Sequence, residues 1–563
     1  MENRWTAKSL PNLELISQLS NNLKISTSIS SILLQREIDN KEKAQAFFRP
    51  QLSDLHDPFL MKDMDLAISR IKSAVNTQEK MMVYGDYDVD GTTAVSIVFS
   101  YFQTLNQNIE YYIPHRYKEG YGISKLGIDY AKAQGITLII ALDCGIRSIE
   151  LIDYANSLGI DFILCDHHLP GEQIPAAIAV LNPKQVDCHY PYKELSGAGI
   201  GFKLIQAYSK REGFDEDKVM EYIDLVAVSI AADLVDMRGE NRILAFYGIK
   251  KLNENPSIGL QALMPSNKRK ASYTVQDIVF GIGPKINAAG RVSDAKAAVS
   301  VLIERDYTKA VQLTRVLNDQ NDERKELDTD ITKTAIEMVD SSPVLQRKKS
   351  LVIMGKEWHK GVIGIVASRM VEQYYKPTII FSLNDGMLTG SARSVKNFDI
   401  HEAISQCSEW VEQFGGHKYA AGLSIKEENF ESFTNKFEDI VKNNIAQSSL
   451  SPEIEYDLEI NLEEITPEFV KIINRMAPFG PGNPMPVFKS ARLKASNSVR
   501  VLKDKHLKLQ ITQGGPFYDS IGFGLSEHLP KVSNAKEFEA CYSVEENHFN
   551  GLTKLQLRIK DFK

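Results

Sequence analysis

Asp86, Asp88 and Asp90 alternate along VYGDYDVDG, residues 83–91, directly after an apolar run and just before a glycine. Three other segments end alike. Asp143 closes IIALD, Asp166, His167 and His168 close ILCDHH, and Asp233 closes the apolar helical run LVAVSIAAD. Like charges brought together are unfavourable unless cations neutralise them. Carboxylates with one or two imidazoles suit Mn²⁺ or Mg²⁺ better than a thiolate set does. Two such ions, about 4 Å apart, clamp a phosphodiester and lower the pKa of a bridging water. A calcium loop opening at Asp86 requires Glu at its twelfth position, where Ile97 stands, and a helix before it, where the pattern reads as strand. A zinc site drawn from Cys165, His167, His168, Cys188 and His189 matches no common ligand spacing.

The elements that must carry these groups alternate. Apolar runs at 81–85, 109–114, 136–143, 162–166 and 177–182 are separated by helical stretches such as 93–105 and 148–159. That alternation predicts an α/β domain with a parallel sheet covered on both faces. In such sheets the functional crevice lies beyond the carboxyl ends of the strands, so the first three acidic segments are expected on one edge. Residues 306–340, charged and free of Gly and Pro, predict one long helix bridging two lobes. A second α/β pattern follows from SLVIMG, and a polar linker lies near 443–453. From about 485 short strands with Gly turns predict a small β-barrel. The expected divisions are a helical segment 1–75, the α/β domain 76–260, a connecting region 261–340, a second α/β domain 341–447 and a barrel domain 448–563.

The chain has 563 residues, 43% hydrophobic and 25% charged, which predicts a folded protein of three or four domains. No apolar run is long enough to span a membrane, and MENRWTAKSLPNLE lacks the core of a secretory signal. The cysteines, at 144, 165, 188, 407 and 541, are scattered without C-x-x-C, which predicts a reducing, cytoplasmic setting. A net charge of −7 announces no polyanion partner, although a local basic surface is compatible with it.

DYDVDG, LDCG, DHH and AADLVD, in this order, resemble the four motifs of the DHH phosphoesterases. GPKINAAGR (283–291), WHKGVIGIVASR (358–369), GSARS (390–394), GGHKYAAG (415–422) and APFGPGNPMPVF (477–488) are similar to those of the RecJ family of single-strand-specific exonucleases. The resemblance implies a DHH domain, a DHH-associated domain joined to it by a long helix, and a C-terminal OB-type barrel. It implies a 5′-to-3′ exonuclease that releases mononucleotides by two-metal hydrolysis in DNA recombination and repair. Asp86, Asp88, Asp143, His167 and Asp233 are then the metal ligands, with Asp143 bridging both ions. His168 is expected to meet the scissile phosphate or leaving oxygen, and Asp166 to orient an imidazole. Asp90 is expected to cap or orient the helix that follows it. Related pyrophosphatases carry a His where Met82 stands, which weighs against that activity.

Such an enzyme must also hold a strand end. Ser391 and Arg393 suit a terminal phosphate, with Arg291 and Arg116 as further candidates. Gly415, Gly416 and His417 place a close-approach backbone beside an imidazole, and His359 is similar. Asn318, Asn321 and Arg324 share a helix face that reads either as a channel lining or as a solvated surface. Lys489, Arg492, Lys494, Arg500, Lys503, Lys505 and Lys508, near Phe488, Phe517, Tyr518 and Phe523, compose an oligonucleotide-binding barrel that stacks bases. The implied partners are single-stranded DNA with a 5′ end, a single-strand-binding protein and a RecQ-type helicase, around a monomeric enzyme. Two alternatives are a DHH phosphodiesterase for short oligonucleotides or cyclic dinucleotides, and an inactive DNA-binding scaffold.

Overall fold

The structure is a computed structural model that describes residues 2–264, 272–534, 537–549 and 552–563. It divides into two units, one of residues 7–318 with 455–563, the other of residues 2–6 with 319–454.

In the first unit five parallel strands lie in the order Ile109–Tyr112, Met81–Gly85, Leu138–Leu142, Asp161–Cys165, Ala179–Leu181. Met81–Gly85 and Leu138–Leu142 are buried at every position, as continuous apolar runs require when helices cover both faces. From Met81–Gly85 the chain first winds to Ile109–Tyr112 on one side, then crosses back to Leu138–Leu142 on the other. A doubly wound sheet opens its crevice at such a reversal. The register then lines up the next residues, because Gly85 faces Leu142 and Leu142 faces Cys165. Asp86, Asp143 and Asp166 therefore leave the sheet side by side.

Three helices cover this edge. Val89–Gln103 is buried through almost its whole length, and Gly197–Glu212 and Ile223–Ala232 pack with it. Asp233 is the C-cap of Ile223–Ala232, which delivers a fourth acid to the crevice.

The N-terminal residues divide between two cores. Leu19, Ile29, Ile32 and Leu33 pack with Leu458, Phe488, Leu507 and Tyr542 of the C-terminal barrel. Met64, Ala67, Ile68 and Ile71 join the core beneath the parallel sheet. Arg242, 5% exposed, joins these parts. Its guanidinium donates to the carbonyls of Phe47, Met476 and Ala477 at 2.9–3.0 Å and covers the Phe47 ring. Asn483, in the PGNP turn, donates to the carbonyls of Met476 and Pro478 and accepts from Arg36. The 477–488 motif thus serves as a structural joint.

The barrel strands run Leu458–Glu459, Phe488–Ala495, Phe538–Phe549, Leu552–Phe562, Tyr518–Gly522, His506–Thr512 and Arg500–Leu502, and Phe488–Ala495 also pairs with His506–Thr512. Two sequence expectations change here. Phe488 is fully buried in the core and offers no stacking surface. Lys489 lies between Glu459 and Glu539, at 3.4 and 3.3 Å, so its charge is paired on the barrel's outer face. Arg500, Lys503, Lys505 and Lys508 are exposed, as are Phe517 and Phe523. Arg558 covers the Phe523 ring at 5.3 Å.

In the second unit a five-stranded sheet runs Gln413–His417, Ala420–Lys426, Met387–Arg393, Thr378–Asn384, Leu351–Lys356. Ile363–Tyr374 packs against its central strands. The helix Tyr307–Asp340 is a single element of 34 residues, and the division between the units falls inside it. Asp328 on this helix accepts both arms of the Arg369 guanidinium, at 2.8 and 2.6 Å. Asn321 is buried, which excludes a solvated face at that position. Among the described residues no helix is long and apolar enough to cross a membrane.

Candidate metal centre

The loop from Asp86 to Gly91 is folded by its own residues. Asp88 is the N-cap of Val89–Gln103, and its Oδ1 accepts from the Gly91 N–H at 3.0 Å. A Cβ on Gly91 would lie 2.4 Å from the Asp86 carbonyl oxygen, so the loop cannot close over a larger residue. Asp143 sits at φ +59°, in the left-handed region that Asp tolerates better than most side chains. Gly197 packs against it; a Cβ there would lie 2.7 Å from the Asp143 Cβ.

Asp90 corrects the reading of its role. Thr92 and Thr93 donate to carbonyls one turn back rather than capping, and Asp88 holds the N-cap position. Asp90 instead reaches a different helix. It accepts from the backbone N–H groups of Gly197 and Ala198, at 2.7 and 2.8 Å, and from the Ser229 hydroxyl at 2.7 Å. Ser229 stands one turn before Asp233, so this buried carboxylate ties three elements of the crevice together.

The imidazoles complete the cluster. His167 Nε2 lies 3.1 Å from Asp143 Oδ1, 3.6 Å from Asp90 Oδ2 and 3.7 Å from Asp233 Oδ2. Asp166 accepts from the His168 backbone at 3.1 Å and pairs with His168 Nδ1 at 2.7 Å; its other oxygen accepts from the Ile146 N–H at 2.9 Å. The Tyr121 hydroxyl donates to the Asp143 carbonyl and lies 3.2 Å from His168 Nε2. Ligand atoms of Asp86, Asp88 and Asp143 lie within 4.8 Å of one another, as do those of Asp143, His167 and His168, and those of Asp90, His167 and Asp233. Asp143 and His167 each belong to two of these groups.

This donor set fits divalent cations. Oδ1 of Asp86 and Oδ1 of Asp143 are buried and accept no hydrogen bond among the described residues. Buried anionic oxygens without donors need positive charge beside them. All-oxygen ligands with imidazole match Mn²⁺ or Mg²⁺ chemistry.

The electrostatics agree. Burial, then the charge of Asp88, pushes the Asp86 carboxyl well above the ordinary range. Burial and then Asp90 also raise Asp88 and Asp143, and Asp233 rises to about 8. For Asp166 burial is the largest single effect and raises the pKa, but the hydrogen bond and charge of His168 with the N–H groups of Ile146 and His168 together lower it. For His168 burial is again the largest single effect and lowers the pKa, but the Asp166 hydrogen bond with the charges of Asp166, Asp233 and Asp90 together raise it. Burial depresses His167 and favours the neutral, ligating form. Carboxyls raised on folding bind more protons in the native than in the unfolded chain, so metal-free stability falls as pH rises from the unfolded Asp range toward 8. Cations displace those protons. The melting-temperature gain from Mn²⁺ is therefore expected to be larger at high pH than at mildly acid pH. Thermal scans with and without Mn²⁺ check this; a gain that shrinks with rising pH contradicts it.

The sequence-predicted substrate residues fall into two sets. Arg116 and Arg291 lie in the first unit with the acids. The Arg116 guanidinium covers the Tyr87 ring at 4.8 Å, and its charge reaches Asp86. The Arg291 carbonyl accepts from the Tyr117 hydroxyl. The others lie in the second unit. Gly415 pairs with Gly422 and Gly422 with Ser391, while His417 pairs with Ala420 and Ala420 with Arg393. Those residues therefore form two adjacent rows across neighbouring strands. Arg393 Nη1 donates to the Ser391 hydroxyl at 3.2 Å. A Cβ on Gly364 would lie 2.9 Å from that oxygen, which brings the start of Ile363–Tyr374 against both residues. Gly416 adopts φ +144°, and a Cβ there would meet the Ala420 carbonyl at 2.4 Å. His359 lies in the loop before that helix, and its Nδ1 accepts from the Gly361 N–H at 3.2 Å.

Tyr121, Gly197 and Ser229 escaped the sequence reading. Tyr121 stood between two glycines that take φ +87° and +80°, a signal for a shaped turn. Ser229 was a lone hydroxyl in an apolar helix, one turn before an acid.

Comparison with known proteins bears on the whole chain. Residues 80–230 match the DHH family, N-terminal domain, residues 347–443 the DHHA1 domain, and residues 456–561 the RecJ OB domain. The single-stranded-DNA-specific exonuclease RecJ of Bacillus subtilis (strain 168) is 34% identical over 563 residues, covering 99% of this chain and 70% of that protein. That of Escherichia coli (strain K12) is 32% identical over 524 residues, covering 89% and 90%. The fold matches RecJ from Thermus thermophilus, solved in complex with Mn²⁺, at a TM-score of 0.85 and 24% identity, covering 100% of this chain and 79% of that one. An exonuclease RecJ solved bound to manganese matches at a TM-score of 0.61 and 28% identity, covering 71% and 98%. With about a third of its residues shared along nearly its whole length, this chain belongs to the RecJ family.

Proposed function

We propose that this protein is an exonuclease that hydrolyses single-stranded DNA from the 5′ end and releases mononucleotides. The observation that carries the reading is the convergence of Asp86, Asp88, Asp143, His167 and Asp233, in groups whose ligand atoms lie within 4.8 Å of one another, at the switch point of the sheet. Asp86, Asp88, Asp143, His167 and Asp233 would hold two Mn²⁺ or Mg²⁺ ions, with Asp143 shared. When bound, the ions supply a lowered pKa for the attacking water and neutralise charge on the phosphoryl oxygens.

The chain's own groups do the rest. Asp166 pairs with His168 Nδ1, which leaves Nε2, beside the Tyr121 hydroxyl, to face the phosphate or leaving oxygen from a side chain 36% exposed. Tyr121 steadies Nε2 and the Asp143 backbone. Arg116 adds positive charge beside Asp86, and Arg291 beside Tyr87. Ser391 and Arg393, with the N–H groups of the second-unit sheet, suit a terminal 5′ phosphate. The exposed basic residues and Phe517 and Phe523 of the barrel suit the strand itself. On this reading its role is in recombination and repair, and its partners are a single-strand-binding protein and a RecQ-type helicase. The five cysteines are all free and buried, which fits a reducing, cytoplasmic setting.

End-labelled strands test the reading. Digestion with Mn²⁺ or Mg²⁺ is expected to release a 5′ label as mononucleotide at once and a 3′ label only late, and chelator is expected to stop both. Duplex cut as fast as single strands would count against it. Faster cleavage of a cyclic dinucleotide would favour the small-substrate phosphodiesterase, a reading that leaves residues 456–561, matched to the RecJ OB domain, without a purpose.

A further inference from the structure

Residues 283–291, GPKINAAGR, form the helix Gly283–Val292, and the metal reading uses none of them except Arg291. We propose that Gly290 on this helix is a positioning residue for the metal centre: it seats the backbone between Asp86 and Asp88. The inference rests on the metal reading above and adds the part that keeps the two carboxylates in register.

The contact is backbone on backbone. A Cβ on Gly290 would lie 2.6 Å from the Tyr87 carbonyl oxygen and 3.3 Å from the Tyr87 Cβ. Gly290 has ordinary helical φ, so proximity and not conformation excludes a side chain there. Tyr87 is the residue between the two acids. The backbone N–H groups of Tyr87 and Gly122 hold the Asp86 carboxylate, and Asp88 Oδ1 accepts from the Gly91 N–H in its own loop, so a shift of the Tyr87 backbone moves a donor to one acid and the chain that carries the other. The far end of the helix touches the same centre more loosely. A Cβ on Gly283 would lie 3.2 Å from the Ile278 carbonyl in the preceding turn, 3.6 Å from Ala232, the neighbour of Asp233, and 3.9 Å from Val89, the neighbour of Asp88. The Tyr117 hydroxyl donates to the Arg291 carbonyl and latches the C-terminal end. A five-residue π-helical turn, Ile278–Ile282, leads into the helix. Such turns interrupt regular helices at functional sites more often than elsewhere.

Close packing makes the consequence direct. A methyl group at Gly290 must push the Tyr87 carbonyl by about half an ångström, which is the tolerance within which a working site is held. The displaced atoms are the chain between two ligands, so metal affinity responds before the fold does.

The test uses the full chain and Mn²⁺ alone, titrated by calorimetry, with strand cleavage measured in parallel. Gly290→Ala is expected to weaken Mn²⁺ binding by about tenfold or more. Its kcat is expected to fall by about 100-fold, with KM for the strand within about twofold. Gly281→Ala, a like change in the π-helical turn with nothing within 4 Å of the added methyl, is expected to bind Mn²⁺ as the parent does. Tyr117→Phe removes the latch and is expected to weaken Mn²⁺ by about threefold, a smaller displacement of the same loop. A folded Gly290→Ala chain with parental Mn²⁺ affinity overturns the proposal. If that variant does not fold, Tyr117→Phe decides: weaker Mn²⁺ binding supports the proposal and parental affinity overturns it. A parent chain that takes up no Mn²⁺ sinks the metal reading itself, a distinguishable failure.

Discussion

Asp143→Asn is expected to lower strand cleavage by on the order of 10⁴-fold, about 5.5 kcal/mol of transition-state stabilisation, without lowering the metal-free melting temperature. Asparagine keeps the shape of the side chain and tolerates φ +59°, and its Cβ keeps the contact with Gly197. What it removes is charge. Asp143 is the acid that two of the three ligand groups contain, so both ion positions lose a donor. The stability expectation has the opposite cause. Burial, together with Asp90, Asp88 and Asp86, disfavours the ionised form, so the native fold gains nothing from this charge in the absence of metal. Single-turnover cleavage and a melting scan in chelator check the pair of expectations. Cleavage within tenfold of the parent would overturn the role of Asp143, and a collapsed melting temperature would show the loss to be unfolding.

Asp90→Asn is expected to behave differently, losing stability and rate together. Asp90 accepts from two backbone N–H groups and a hydroxyl. An amide nitrogen in place of one oxygen would face a donor, and a buried donor left unpaired costs about 1–3 kcal/mol. Its partners are the first residues of Gly197–Glu212, which pack on Asp143, and Ser229, which precedes Asp233. Loosening them misplaces both acids, and displacement on the 1 Å scale costs about 100-fold in rate. Denaturant titration without metal, beside cleavage rates, checks this. A variant as stable as the parent would show that the three donors do not depend on the carboxylate.

The contrast between these two aspartates also marks what could be read from residues alone. Asp86, Asp143 and Asp166 each follow an apolar run, and each leaves the sheet at the same edge in the structure. Burial on both faces requires continuous apolar strands, and the reversal of winding opens one crevice, so local pattern and sheet topology are sufficient to gather those acids. The helix at 307–340 was legible for a similar reason: it is long, charged and unbroken by Gly or Pro. The Asp90 partners were not legible. They lie 107, 108 and 139 residues further along the chain. Nothing in DYDVDG distinguishes a carboxylate that caps its own helix from one that caps another.

The barrel repeats the lesson in reverse. Phe488 and Lys489 read as part of a basic, aromatic surface, yet one is core and the other is neutralised by Glu459 and Glu539. In a small barrel successive residues point to opposite sides, and a short irregular strand does not disclose which side is which. The N-terminal residues Leu19 to Leu33 gave no sign that their apolar faces pack with a barrel that begins more than 400 residues later. Residue type and short-range spacing decided where the chain would be extended or helical, and where acids would end a strand. Which buried group meets which was decided only when the chain closed on itself, because a hydrogen bond or a packed face needs a partner that sequence distance does not name.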